Sequence, residues 1–199
     1  MITFKQVVST IAARNGLWAS FAPKPLKDQA GNGFHINVSV VKEHATENET
    51  VFQSFMAGLL QYVPEMTAVL NPTEESYARF GREKAPNRVS WSQNNRSQLI
   101  RIPAATAPYK RMELRSPDAS ANPYLAFALV MQAGLYGVLN GLTPPPSCSE
   151  NLLHAPKEIQ QQYPALPATL SEAKRRMQES SFMHDVLPAH IFDACLNRQ

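Results

Sequence analysis

Two short runs near the middle of the chain alternate apolar and polar residues, and that alternation limits what they can become. The first reads Asn95-Arg96-Ser97-Gln98-Leu99-Ile100-Arg101-Ile102-Pro103, the second Arg111-Met112-Glu113-Leu114-Arg115-Ser116-Pro117-Asp118. A period of two belongs to a β-strand, whose successive side chains point to opposite faces. Ser97, Leu99 and Arg101 then share one face of the first run, and Arg111, Glu113 and Arg115 one face of the second. At about 3.4 Å per residue, Arg111 to Arg115 covers roughly 14 Å, about the length of a triphosphate with its metal. A carboxylate between two guanidinium groups can hold a divalent cation while the arginines clamp phosphate oxygens. The same spacing suits a solvated sheet face with cross-strand charge pairs, so spacing alone leaves both readings open.

The flanking segments supply the layers around such a sheet. Phe34 to Val41 alternates strictly, with Phe34, Ile36, Val38 and Val40 inward and His35, Asn37 and Ser39 outward. A short strand is expected over Trp18 to Ala22, ahead of Pro23 and Pro25. Gly31-Asn32-Gly33 reads as a turn; its glycine pair precedes a strand rather than a helix, which excludes a dinucleotide-binding loop. Thr3 and Gln6 form a capping-box pattern before the stripe Phe4, Val7, Val8 and Ile11, and Gly16 ends that helix. Thr50 to Leu70 is helical in pattern, with a kink or break expected at Pro64. Asn71 to Asn95 reads as irregular. Asn122 as N-cap with Pro123 at the first helical position starts a further helix, Thr169 and Glu172 make another capping box, and a last helix is expected over Phe182 to Leu196. Strands with polar faces and helices in this order predict an α+β fold, an antiparallel sheet with helices packed on its other face.

Composition excludes several function classes. With 199 residues, 44% of them hydrophobic, and a net charge of +3, the chain can build one domain with a real core. The charge is spread, and no Lys/Arg block suits nucleic acid. Pro123 to Leu142 carries no charged residue, yet Gln132, Asn140 and three glycines interrupt it; it reads as a buried helix, and no membrane role is expected. Cys148 and Cys195, with no signal peptide ahead of them, predict reduced thiols and a cytoplasmic location.

Several separated motifs, in a shared order, resemble the catalytic region of the glutamine synthetase family, of type I. They are Ser20-Phe21-Ala22-Pro23-Lys24-Pro25, Gly31-Asn32-Gly33-Phe34-His35-Ile36-Asn37-Val38-Ser39, Asn71-Pro72-Thr73 with Ser76-Tyr77-Ala78-Arg79, the two arginine runs, and Ala121-Asn122-Pro123-Tyr124. The resemblance covers almost the whole of residues 1–199 and implies the C-terminal portion of the catalytic domain, without the family's β-rich N-terminal domain and first catalytic strands. It implies ATP, glutamate and ammonia as substrates, Mg2+ or Mn2+ as cofactor, and a large ring-shaped homo-oligomer for the full-length protein. In the family ATP phosphorylates the γ-carboxylate of glutamate, and ammonia then displaces phosphate.

The resemblance also assigns roles. His35 and Glu113 resemble ligands of the metal bridging ATP phosphates; Ser39, Arg101 and Arg111 resemble ATP contacts. Arg96 and Arg115 resemble ligands of the transferring phosphoryl group, Arg79 the arginine that holds the α-carboxylate of glutamate, and Gly31 a backbone wall of the same pocket.

The chain departs from the family pattern at named positions. Asn37 stands where a second histidine is usual, and Ala30 where an asparagine is usual. In the flap, Gly81-Arg82-Glu83-Lys84-Ala85-Pro86 places Lys84 where the family's glutamate helps to deprotonate ammonium. A lysine does that work only if its surroundings push its pKa far down. Ligation of glutamate to another amine, or a catalytically dead assembly or regulatory fragment, are therefore the alternatives. Leu153 stands where some bacterial relatives carry a tyrosine that accepts a nucleotidyl group, so no adenylylation is expected there. The 199-residue chain alone is expected to make no glutamine.

Overall fold

The computed structural model describes residues 1–40, 48–105 and 109–197, with Asn48 in its backbone only. Its elements are α1 (Ile2–Arg14), β1 (Ile36–Val38), α2 (Asn48–Leu70), α3 (Glu74–Ala78), β2 (Trp91–Gln93), β3 (Ile100–Ile102), β4 (Met112–Leu114), α4 (Pro123–Leu139), α5 (Lys157–Gln160), α6 (Leu170–Gln178), α7 (Ser181–Val186) and α8 (Ala189–Asn197). The fold is α+β. Ile36, Ile100, Met112 and Leu114 drive the inner face of the sheet into a core shared with α2, α4 and α6, and the polar side chains of the same strands stand on the outer face.

The four strands lie in the order β1-β4-β3-β2. β4 pairs antiparallel with β1 and with β3, as the alternation predicts, but β2 runs parallel to β3. The sheet is thus not antiparallel throughout. The exception comes from Trp91–Gln93, which lies inside the stretch read as irregular. Asn94 turns the chain with φ 65°, and Ile100 donates to the Ser90 carbonyl while Asn94 donates to that of Ile102. The strand expected over Phe34 to Val41 pairs only over Ile36–Val38; its alternation holds, with Ile36 buried and Asn37 exposed, and Val41 lies outside the described residues.

α2 runs unbroken through Pro64 to Leu70, so the expected break does not occur. It crosses α4 at very short range. A Cβ built on Gly58 would lie 2.1 Å from the Ala133 carbonyl oxygen, and one on Gly137 2.1 Å from that of Ser54, so only glycine permits this approach. Asn122 caps α4 by accepting from the Tyr124 and Leu125 amides, and Thr169 caps α6 by accepting from the Glu172 amide.

Three other expectations are corrected. α1 begins at Ile2 with Met1 as its N-cap, which places Thr3 inside the first turn, and no side-chain cap forms. None of its residues is buried, so the stripe of Phe4, Val7 and Ile11 faces outward. Trp18 to Ala22 forms no strand, and Trp18 is exposed. The helix expected over Phe182 to Leu196 is two helices, broken at Leu187-Pro188, where proline supplies no amide to continue the ladder.

Candidate active site

The outer face of the sheet is organised by register. Asn37 and Arg101 both stand opposite Glu113, one on each neighbouring strand, and Arg101 stands opposite Ser92. Because Met112 and Leu114 point into the core, Glu113 projects outward between β1 and β3. His35, two residues before Asn37, shares that face. Its Nδ1 lies 2.8 Å from Glu113 Oε1. Arg115 Nη1 donates to the same oxygen at 3.0 Å, and Arg101 Nη1 donates to Oε2 at 2.9 Å. Glu113 and Arg115 are only 8% and 3% exposed, so the carboxylate and this guanidinium are largely withdrawn from water, while His35 and Arg101 stay partly open to it.

Burial and partners set the charge states. Burial pushes the Glu113 carboxyl up, but the Arg101 hydrogen bond, the Arg115 charge and His35 together hold it below the ordinary glutamate value. Burial lowers the His35 pKa, and the Arg115 charge lowers it further, against the pull of Glu113. A neutral imidazole beside an ionised carboxylate is therefore favoured, which is the state in which both atoms can ligate a metal. Burial also lowers the Arg115 pKa, and Glu113 opposes it. The Nε of Arg115 is buried and has no hydrogen-bond partner among the described residues, which leaves it as a donor for a ligand.

A cavity of about 280 Å3 opens beside this cluster, lined among others by Gly31, His35, Arg79, Glu83, Lys84 and Arg115. Arg79 is buried in its wall. Its Nη1 donates to the Ser116 carbonyl at 2.7 Å and its Nη2 to the Arg115 carbonyl at 3.1 Å. Asn71 supports the same carbonyl of Ser116 from Nδ2 at 2.9 Å, and that nitrogen also lies 2.8 Å from Asp118 Oδ2. Gly31 lies flat against Arg79: a Cβ there would meet Arg79 Cγ at 2.7 Å and the Pro23 carbonyl oxygen at 2.8 Å. The loop 81–86 forms the rim, with Gly81 at φ 71° and Glu83 at φ 55°. Arg115 Nη2 holds this rim by donating to the Lys84 carbonyl at 3.1 Å, while the Lys84 side chain is exposed.

The structure thus brings His35, Glu113, Arg101, Arg115, Arg79, Gly31 and Lys84 around one site. Arg111 stands further along the sheet, its Nε donating to Asn37 Oδ1 at 3.2 Å. Ser39 is exposed beyond the end of β1. Arg96 is exposed on the loop before β3, close enough for its charge to lower the Arg115 pKa. Sequence reasoning gave no role to Asn71 or Asp118, although both lie inside the quoted motifs; Glu83 it offered as a substitute for the flap glutamate if the loop shifts. Among the described residues no group of three or more His, Cys, Asp or Glu side chains is placed to hold a metal. The protein donors there are one imidazole and one carboxylate, types that suit a hard divalent cation completed by phosphate oxygens and water.

A sheet face that carries arginines around a carboxylate–imidazole pair, beside an arginine-walled cavity, offers donors for anions and ligand atoms for a cation side by side. Residues 1–198 match the family model for the glutamine synthetase catalytic domain, and the chain belongs to that family. It is 42% identical over 205 residues to glutamine synthetase of Methanosarcina mazei, 40% over 205 to that of Clostridium saccharobutylicum and 37% over 204 to that of Thermotoga maritima. In each case 96% of this chain aligns with 46% of the relative, so the chain spans about half the length of the relatives it matches. Among solved structures, a GmaS/ADP complex superposes with a TM-score of 0.81 at 30% identity, covering 98% of this chain and 47% of that one. Apo GmaS superposes with a TM-score of 0.79, also at 30% identity, over 98% of this chain and 46% of that one. No helix among the described residues is long and apolar enough to cross a membrane.

Proposed function

We propose that this chain is the C-terminal portion of the catalytic domain of an ATP-dependent ligase that joins glutamate to ammonia through γ-glutamyl phosphate. The observation that carries the reading is the Glu113 cluster, in which two guanidinium groups and the His35 imidazole converge on one buried carboxylate beside the Arg79 cavity. His35 and Glu113 would hold a Mg2+ or Mn2+ ion, which, when bound, neutralises phosphate charge and polarises the phosphoryl group. Arg101, Arg111 and Ser39 would contact ATP. Arg115 and Arg96 would hold the oxygens of the transferred phosphoryl group; the unpartnered Nε of Arg115 is a donor for that purpose. Arg79, fixed by two carbonyls, would take the α-carboxylate of glutamate against the Gly31 backbone. The γ-carboxylate oxygen then attacks the γ-phosphorus of ATP and ADP leaves. Ammonia attacks the acyl carbon, loses a proton, and expels phosphate.

Lys84 favours a second reading, a γ-glutamyl ligase for another amine. A cation on the cavity rim gives no help in removing a proton from ammonium, although Glu83 lines the same cavity. The oligomeric ring and a neighbouring subunit that completes the pocket belong to the proposal for the full-length protein. Calorimetry tests the substrate set: the chain should bind Mg2+-ATP, and Arg101→Ala should weaken that binding. With ATP and a panel of amines, the full-length protein should release phosphate only when glutamate is present. Release without glutamate, or no binding of Mg2+-ATP by either protein, would contradict the reading.

A further inference from the structure

The loop that carries Arg96 is bound to a distant segment, Ser149 to Leu152, by a set of side chains whose only visible task is that attachment. Asn95 Nδ2 lies 3.1 Å from the Ser149 carbonyl oxygen and 2.9 Å from that of Glu150. Gln98 Nε2 donates to the Glu150 carbonyl at 2.7 Å and lies 3.1 Å from Ser97 Oγ. The Leu152 amide donates to Ser97 Oγ at 3.1 Å. Asn95 Oδ1 closes the turn by accepting from the Ser97 amide at 3.0 Å and the Ser97 hydroxyl at 2.9 Å. Upstream, the segment is laid along the outer edge of β2: the Cys148 amide donates to the Trp91 carbonyl at 2.8 Å, and Trp91 Nε1 to that of Pro145 at 2.7 Å.

Ser97, Gln98, Cys148 and Leu152 are buried, whereas Arg96 between them is exposed. A long exposed arginine on a free loop would lose much conformational entropy on gripping an anion. Here both neighbours of Arg96 in sequence are pinned, so its backbone is fixed on the side of Arg115 before any ligand arrives.

We propose that Asn95, Ser97 and Gln98 are positioning residues for Arg96, and that Ser149–Leu152 is the anchor against which they hold it. Release of that segment then weakens phosphoryl binding without touching an arginine. The proposal rests on Arg96 being a phosphoryl contact, and the experiment separates failure of that role from failure of the anchor. Affinity for inorganic pyrophosphate is measured by calorimetry in the wild type, Ser97→Ala, Ser97→Thr, Arg96→Ala and the Arg96→Ala/Ser97→Ala pair, with amide exchange of Leu152 read in each. Outer partners that orient a binding group are typically worth about 10- to 100-fold. Ser97→Ala should therefore weaken pyrophosphate about tenfold and speed Leu152 exchange. Ser97→Thr, which keeps the hydroxyl, should restore both, and Ser97→Ala should cost nothing further once Arg96 is gone. Unchanged Leu152 exchange in Ser97→Ala overturns the anchor, and an additive effect in the double variant overturns action through Arg96. Pyrophosphate affinity insensitive to Arg96→Ala overturns the role of Arg96 itself, whatever Leu152 does.

Discussion

Replacing Glu113 by alanine should destabilise the protein far more than removal of an ordinary surface charge. The carboxylate accepts from Arg101 at 2.9 Å and Arg115 at 3.0 Å and faces His35 Nδ1 at 2.8 Å. Without it, Arg115 Nη1 keeps its charge in a place where the residue is 3% exposed and loses a charge-assisted bond that little water is present to replace. Breaking a buried pair typically costs about 3–5 kcal/mol. Arg101 and His35 are only part-buried, with side chains 19% and 33% exposed, so they rehydrate and the lower end applies. About 3 kcal/mol in a chain of this size corresponds to a fall in Tm of roughly 6–12 °C. Glu49, paired with Lys110 but with 58% of its side chain exposed, is the internal comparison; Glu49→Ala should cost under about 1 kcal/mol. Thermal and urea unfolding of the two variants measure the difference directly. A Glu113→Ala midpoint within about 2 °C of the Glu49→Ala midpoint would show that the cluster is solvent-screened and that its burial was misread.

Other outcomes follow from the same geometry. Gly58→Ala should lower Tm by about 4–8 °C, because its new methyl would lie 2.1 Å from a backbone oxygen on α4 and overpacking of about 3 kcal/mol outweighs the roughly 1 kcal/mol of helix propensity gained; an unchanged Tm would deny the close crossing. Arg79→Lys should weaken glutamate binding more than tenfold in calorimetry while the fold persists, since lysine cannot reproduce the planar two-carbonyl hold; equal affinity would remove Arg79 from the pocket. Stability should also decline on the acid side. His35 and Glu113 both have folded pKa values below their ordinary 6.5 and 4.5, so their contributions are complete above those values. The His35 part is lost as pH falls from 6.5 through its lowered value, and the Glu113 part as pH falls from 4.5. In His35→Gln the first of these losses should vanish from the urea-midpoint profile; a profile identical to wild type would contradict it.

The parts of the fold that were legible are those where one local rule decides. Alternation placed Glu113, Arg101 and His35 on one face, and Asn122 and Thr169 cap their helices, although Glu172 reaches back to the Ala168 amide instead of closing the expected capping box on Thr169. Where a distant partner decides, the reading failed. Trp18–Ala22 has no strand beside it among the described residues, whereas Trp91–Gln93 becomes a strand because β3 offers an edge. Pro64 sits inside a helix held by its packing against α4, yet Pro188 ends one, and sequence does not distinguish the two. The arginines of the site were visible as arginines. The carbonyls of Ser116, Arg115 and Lys84 that hold Arg79 and Arg115 are backbone atoms, and no residue type announces those.

The central claim is that His35 and Glu113 hold a divalent cation against a polyphosphate. Electron paramagnetic resonance of Mn2+ with ATP, titrated into the chain and into His35→Ala and Glu113→Gln, tests it most directly. The account predicts that wild type takes up Mn2+-ATP and that each substitution weakens this at least tenfold, with circular dichroism unchanged. Equal uptake by wild type and both variants would contradict it.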